Sequence, residues 1–311
     1  VSNAFRDSEK AFSKDGNQDD RERVLLELAQ AAQNDTYVLE MLRQRVGMLA
    51  PGDRQRSVMI GAMGARTDEV GQAALINLYE KGRLNDEEKE KVLQHLGMTG
   101  DPLTPESKSF LRGVIENANQ PDLVNTATLS LGSSIRWDGD PETVIFLKSS
   151  YRGTQGLLTT SDTDLERREV LIQAIGNSRS NVFNEEVRSE LNSSDPSMRA
   201  NAMDALRFPQ DSESRALLQQ SIAKESDLRA RAIGYQALGY QPYDETTKNL
   251  LRQCVTSESW SNVRLECYRI LVTRINDPET VSLLESRASS DQDEQLREVA
   301  RQAVETARAK K

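Results

Sequence analysis

From Arg21 to near the C-terminus, apolar residues recur at the three- and four-residue spacing of a helix face. No stretch shows the sustained apolar–polar alternation of a half-buried strand, so the pattern predicts an all-α chain. The pattern also repeats. Residues 195–206 read D-P-S-M-R-A-N-A-M-D-A-L and residues 227–239 read D-L-R-A-R-A-I-G-Y-Q-A-L-G. In register, Arg199 falls on Arg231, Ala205 on Ala237 and Leu206 on Leu238, an offset of 32 residues. Taking Leu206 as marker, the equivalents are Met63, Leu96, Leu131, Ile175, Leu238, Leu271 and Val304. The intervals are 33, 35, 44, 31, 32, 33 and 33.

Four residues before each marker stands Met59, Val92, Ala127, Leu171, Ala202, Gly234, Cys267 or Ala300, on the same helix face. One residue before it stands Ala62, Ala174, Ala205, Ala237 or Ala303, small enough to admit a neighbouring helix; His95, Ser130 and Ile270 depart from that rule. A first helix precedes each marked one, with candidates at 70–81, 106–117, 142–151, 184–191, 212–223, 245–255 and 279–286. Two more, 21–33 and 37–49, open the array, for about seventeen helices in all. Pro105, Pro121, Pro141, Pro196 and Pro278 fall just inside predicted starts, and Thr104, Asp140, Asp195 and Asp277 precede four of them as caps.

Charge keeps the same phase. Seven residues before the marker stands Arg56, Lys89, Arg168, Arg199, Arg231, Arg264 or Arg297, with Val124 the exception. Asp164, Asp195, Asp227 and Asp293 lie four residues before the Arg; Asp162, Glu225, Glu258 and Asp291 lie six before. Solvated surface charges rarely hold register over so many copies. The spacing predicts an arginine ladder (Arg168, Arg199, Arg231, Arg264, Arg297) paired with carboxylates at the inter-helix turn of its own or an adjacent repeat, the acids also capping helix N-termini.

The phrase D-x-D-x-x-[V/L/M]-R-x-x-A-x-x-A-L-G resembles the second helix of a HEAT repeat, most clearly at 162–176, 195–206, 227–239 and 291–304. The resemblance implies a right-handed α–α superhelix of about eight HEAT-like, armadillo-type helical pairs, in a family made up mostly of binding scaffolds. A fainter similarity, in Ile172-Gln173-Ala174-Ile175-Gly176-Asn177, is to the helical superhelix of vitellogenin-type lipid-transfer proteins. Residues 21–308 read as a single solenoid behind a flexible polar leader or tether at 1–20, with a short helix around Phe5–Phe12. A start at Val1 and that polar leader suggest an exported or periplasmic protein that has lost a leader or anchor, the alternative being cytoplasmic.

Composition narrows the partners. A net charge of −9 and no long basic run argue against nucleic acid and acidic membranes, and no apolar run is long enough to be membrane-embedded. His95 is the only histidine, which excludes a multi-histidine metal centre. HEAT-like alkylpurine DNA glycosylases would want a basic concave face. Deoxyhypusine hydroxylase-like proteins need several His-Glu motifs, whereas His95 here is followed by Leu96. Gly153-x-x-Gly156 follows no strand and reads as loop. No catalytic residue, metal or cofactor is expected. Cys254 and Cys267 fall on the two helices of one pair and read as two small buried hydrophobes, the reading preferred on sequence, or as one disulfide in an oxidising compartment.

The candidate contacts lie on the face two, six and nine residues before the marker. It carries Gln94, Gln173, Asp204, Gln236, Arg269 and Gln302, with Glu90, Glu169 and Glu298 beside them. Tyr235, Tyr240, Tyr243, Trp260 and Tyr268 crowd into 34 residues, Tyr235 and Tyr268 being placed to stack one repeat apart. The 44-residue interval holds the irregular stretches 133–140 and 152–160, where solenoid insertions emerge as loops, and Trp137 there is either a plug or a partner anchor. The candidate partner-binding residues are therefore Trp137, Gln173, Asp204, Gln236, Tyr240, Trp260 and Arg269. They suit a non-enzymatic scaffold or adaptor for a protein or peptide; the alternative is a lipid or small-molecule carrier, which the polar face disfavours.

Overall fold

A computed structural model describes residues 18–155 and 162–309. The residues around Phe5–Phe12 lie outside it, as does most of the leader; the helix expected at 21 already begins at Gln18. Among the described residues there are seventeen α-helices and no strand. They fall into two compact units, 1–178 and 179–311.

The first unit holds α1 (Gln18–Asn34), then the pairs α2 (Thr36–Met48) and α3 (Arg54–Gly64), α4 (Glu69–Lys81) and α5 (Asp86–Gly97), α6 (Pro105–Asn117) and α7 (Pro121–Asp138), and α8 (Pro141–Gln155) and α9 (Asp162–Ser178). The second holds α10 (Asn184–Leu191) and α11 (Pro196–Ala205), α12 (Ser212–Lys224) and α13 (Leu228–Leu238), α14 (Glu245–Ser257) and α15 (Ser261–Val272), and α16 (Pro278–Ser290) and α17 (Glu294–Ala309). Within each unit, second helices pack on second helices and first on first, the layering of an α–α superhelix. All eight markers are buried. The five prolines each start a helix, and Thr104, Asp140, Asp195 and Asp277 accept backbone amides there.

The crossings explain the three departures from the small-residue rule. The residue after one marker meets the residue before the next. A Cβ on Gly64 would lie 2.3 Å from the His95 ring, one on Gly97 2.4 Å from the Ser130 hydroxyl, and one on Gly239 3.1 Å from Ile270. A larger side chain on one helix is thus matched by glycine on the other. Burial against this crossing, together with the charge of Lys91, lowers the His95 pKa and favours the neutral ring.

The ladder runs forward from each repeat to the next. Arg199 grips Glu225 through Nε (2.8 Å) and Nη2 (2.7 Å), and Arg264 grips Asp291 the same way at 3.2 and 2.9 Å. Arg231 reaches Glu258 at 2.8 Å. The remaining Nη1 donates back to turn carbonyls of its own repeat: Ser193 and Ser194, Glu225, or Glu258 and Ser259. The two acids divide the work. The one six before the Arg takes the previous arginine and the amide of Asp227, Trp260 or Asp293; the one four before it, Asp195, Asp227 or Asp293, caps the helix. Arg297, in the last pair, bonds the carbonyls of Asp291 and Gln292. Arg168 lies part-buried on α9, and Lys89 departs from the pattern, pairing weakly with Asp86 on its own helix.

In the first unit the acid comes from inside the helix. Arg56, 1% exposed, meets Glu88 at 2.7 Å, while Glu88 closes a capping box with Asn85. A second ladder joins first helices. Lys108 and Arg112 reach Asp140, Arg215 reaches Asp244 at 3.1 Å, and Lys248 reaches Asp277 at 3.1 Å, each acid being the N-terminal cap of the next first helix.

Two other expectations are corrected. Residues 133–138 continue helix α7 rather than forming a loop, so the long interval is absorbed partly as extra helix, and Gly153 is helical in α8. Residues 156–161, including Gly156, lie outside the described residues. Cys254 and Cys267 are bridged, tying α14 to α15 with Cα atoms 6.4 Å apart; both are buried, so core packing and the bridge coexist.

Candidate protein-binding groove

The residue two before the marker points outward on most second helices, Gly61 and Leu129 being the half-buried exceptions. Gln94, Gln173, Gln236, Arg269 and Gln302 are exposed and Asp204 is half-exposed, because the marker and the residue four before it take the buried face. In the second unit these positions on α11, α13 and α15 share a groove of about 400 Å³. It gathers Asp204, Gln236, Tyr240 and Arg269, four of the seven candidates, and adds Arg207, Glu266 and Thr273.

Its charges are paired locally, Asp204 of α11 with Arg207 in the turn after it and Glu266 with Arg269 within α15. Arg207 Nη1 donates to both Asp204 oxygens at 2.9 Å, and Arg269 Nη1 donates to Glu266 at 2.7 Å. Both are i,i+3 pairs with partial solvent access, Arg269 being the most exposed member and Glu266 the most covered, so each cation can still meet an incoming group. Gln236 offers an amide that both donates and accepts.

One wall is aromatic. Tyr240, 61% exposed, stands edge-on against Phe208 with centroids 5.5 Å apart. The Arg179 and Arg207 guanidiniums lie 4.3 and 4.6 Å from the Phe208 ring centre. Gln210 Nε2 also donates to the Tyr240 carbonyl at 3.4 Å. The tyrosine therefore stands on a braced base and remains largely exposed. Sequence reasoning missed Phe208 and Arg207, although Phe208 and Tyr240 occupy the same repeat position, two after their markers.

Three candidates lie elsewhere. Trp260 precedes α15, nine residues before Arg269; at 1.5 Å per residue that is about 13 Å along the axis, so Trp260 is not part of the groove. Trp137, 45% exposed, lies in the last turn of α7 under the Arg136 guanidinium at 4.9 Å. Gln173 is exposed on α9 in the first unit. Tyr235 and Tyr268 are both buried, and Tyr268 turns its hydroxyl to Asp291 at 2.8 Å. Burial pushes both phenols up to about 12. No group of three or more metal-ligating side chains occurs among the described residues, and none of their helices is long and apolar enough to cross a membrane.

Residues 225–305 match the family model for HEAT repeats. Both units are built of HEAT-like helical pairs. No curated protein matches the solenoid sequence. Among solved structures, a lipovitellin described for its lipid–protein interactions is 16% identical, with a TM-score of 0.52 over 95% of this chain and 29% of that one. Human deoxyhypusine hydroxylase in complex with glycerol is 19% identical, with a TM-score of 0.37 over 88% and 98%. Kap121p bound to Pho4p is 14% identical, with a TM-score of 0.42 over 96% and 37%. The solenoid thus spans about a third of the lipovitellin and Kap121p chains, and the lipovitellin likeness supports the fold alone.

Proposed function

We propose that this solenoid is a non-enzymatic scaffold that binds another protein through the groove on α11, α13 and α15. The observation that carries the reading is the convergence of Asp204, Gln236, Tyr240 and Arg269 from three successive second helices on one open surface. Such a surface suits an extended polar peptide. Gln236 can bond its backbone, the two i,i+3 pairs can open toward its charges, and Tyr240 supplies a rigid contact face. HEAT and armadillo solenoids generally serve as protein-binding scaffolds, which accords with this use. The carrier alternative rests on likeness of fold, and the polar lining disfavours an apolar cargo.

The test begins with the tagged chain purified from its native cell and a partner identified at stoichiometric amount. Affinity for that partner is then compared between the wild type, a Gln236→Ala/Tyr240→Ala/Arg269→Glu variant and a Trp137→Ala control. A loss of about 100-fold or more in the triple variant, with Trp137→Ala unchanged, is expected from the loss of one aromatic anchor and two polar contacts. Unaltered affinity in the triple variant overturns the assignment.

A further inference from the structure

The second unit contains another cleft, on the side of the first helices. It opens among α10, α11 and α12 with a volume of about 510 Å³, within the range of small-molecule sites. Its lining is mostly polar, with Asn192, Gln220, Ser221 and Ser226 among it; the apolar part is Leu191 and Leu217, both part-exposed, over the fully buried Met203. Ser221 lies 33 residues before Cys254; where the next pair fills this position with half of a bridge, this one has a small hydroxyl and leaves room.

The rim is basic on a chain of net charge −9. Arg188, Arg199 and Lys224 line the cleft, and Glu225 is the one carboxylate among its lining residues. Glu225 is already committed. Both its oxygens are held by Arg199, one also accepts the Asp227 amide, and these bonds keep its carboxyl below the usual range. Arg188 is half-exposed and pairs with Glu213, itself exposed and outside the cleft lining. Lys224 is exposed and makes no ion pair with a described residue. Two cations with solvent access therefore stand beside two part-exposed leucines and an acid that is already saturated.

We propose that this cleft is a binding site for a small amphiphilic organic anion, a carboxylate with an aliphatic body. The carboxylate sits between Arg188 and Lys224, and a short aliphatic body lies against Leu191 and Leu217. Charge complementarity selects the anion and the two leucines favour the tail. The site is separate from the groove of Asp204 and Arg269 and shares none of its lining residues.

The test is isothermal titration of the full chain in low salt with sodium octanoate, octylammonium chloride and 1-octanol. The expected result is saturable one-to-one binding of octanoate, at least tenfold tighter than either of the others. Arg188→Ala/Lys224→Ala should weaken octanoate at least tenfold, and Leu217→Ser should weaken it without changing the preference for the anion. Gln236→Ala should leave it unaltered. Arg188 and Lys224 lie outside the buried ladder, so both variants are expected to keep the wild-type circular dichroism and melting curve. Equal affinity for octanoate and octylammonium, an unaffected double variant, or no saturation by about 10 mM overturns the proposal.

Discussion

Asp291→Asn tests the ladder where it is most deeply buried. The Asp291 side chain has no solvent access, and Arg264 opposite it is 5% exposed. Asp291 accepts from Arg264 Nε and Nη2, from Arg287 Nη2 at 3.1 Å, from the Tyr268 hydroxyl at 2.8 Å and from the Asp293 amide at 2.9 Å. Burial opposes its ionisation, but these donors outweigh burial and pull the carboxyl down to about 2. A fall of about two units from the ordinary 3.8 corresponds to about 2–3 kcal/mol favouring the folded state. Asparagine removes the charge facing two guanidiniums and turns one acceptor into a donor, so the loss should reach about 3–5 kcal/mol. Because the pair joins α15 to the last helical pair, the damage should concentrate there. Hydrogen exchange would show α16 and α17 losing protection first, and urea melts would show the transition splitting or moving down. The depressed pKa also sets a pH signature. Its contribution is complete above the unfolded value near 4 and is lost as pH falls through about 2, so the wild type should weaken across that window. The variant should lack this component. Wild-type exchange rates in α16–α17, or an unchanged acid limb, would refute the reasoning.

Three further outcomes are expected. Gly132→Ala places a Cβ 2.4 Å from the Ala174 carbonyl, which is backbone and cannot step aside; a loss of about 1–3 kcal/mol should appear in thermal melts, while Gly153→Ala, whose Cβ meets nothing within 4 Å, should be neutral or slightly stabilising. Reducing the Cys254–Cys267 bridge, or replacing both cysteines with alanine, releases a loop of 13 residues and should cost about 3 kcal/mol by urea titration with and without reductant. Arg199→Lys keeps the charge but loses the two-point grip on Glu225, so a drop of about 1–2 kcal/mol is expected, and unchanged stability would show that the fork geometry contributes nothing.

The architecture was legible because each repeat must bury the same stripe and satisfy the same turn. Burial keeps the markers apolar, and forward pairing keeps Arg199, Arg231 and Arg264 in phase with Glu225, Glu258 and Asp291. The outward positions were legible for the same reason: once two helix faces are spoken for, the third is exposed. Properties of pairs distant in sequence were not legible. That His95 needs Gly64, or that Lys248 reaches the cap of the next first helix, depends on register between helices that one-dimensional periodicity does not contain. The cysteines were ambiguous because a core position for a small residue and a bridge position have the same periodicity. Trp137 was misplaced because the polar residues around it suggest a loop, yet helix α7 runs through them, with Ser133 and Ser134 bonding carbonyls of their own helix and Gly139 ending it in a left-handed turn.

On the proposed binding reading, the two kinds of ion pair in the second unit divide stability from recognition. Ladder pairs such as Arg264–Asp291 are buried, span two repeats and satisfy turn carbonyls as well; opening one leaves an uncompensated charge in the core. A partner can do little with such groups. The groove pairs Asp204–Arg207 and Glu266–Arg269 join residues three apart and keep partial solvent access, so opening one costs less than opening a ladder pair. A partner carboxylate that captures Arg269, or a partner amine that captures Asp204, therefore keeps more of its own interaction energy than one that opens a ladder pair. The ladder holds successive second helices in register, and that register keeps the groove residues spaced for an extended ligand before it arrives. Weakening the ladder at Arg231, which links the α12–α13 pair to the α14–α15 pair, should therefore lower affinity at the groove although Arg231 does not line it. Substitution of Gln236 should lower affinity without lowering stability. If Arg231→Met and Gln236→Ala reduced partner binding equally while melting at the same temperature, this separation of roles would not hold.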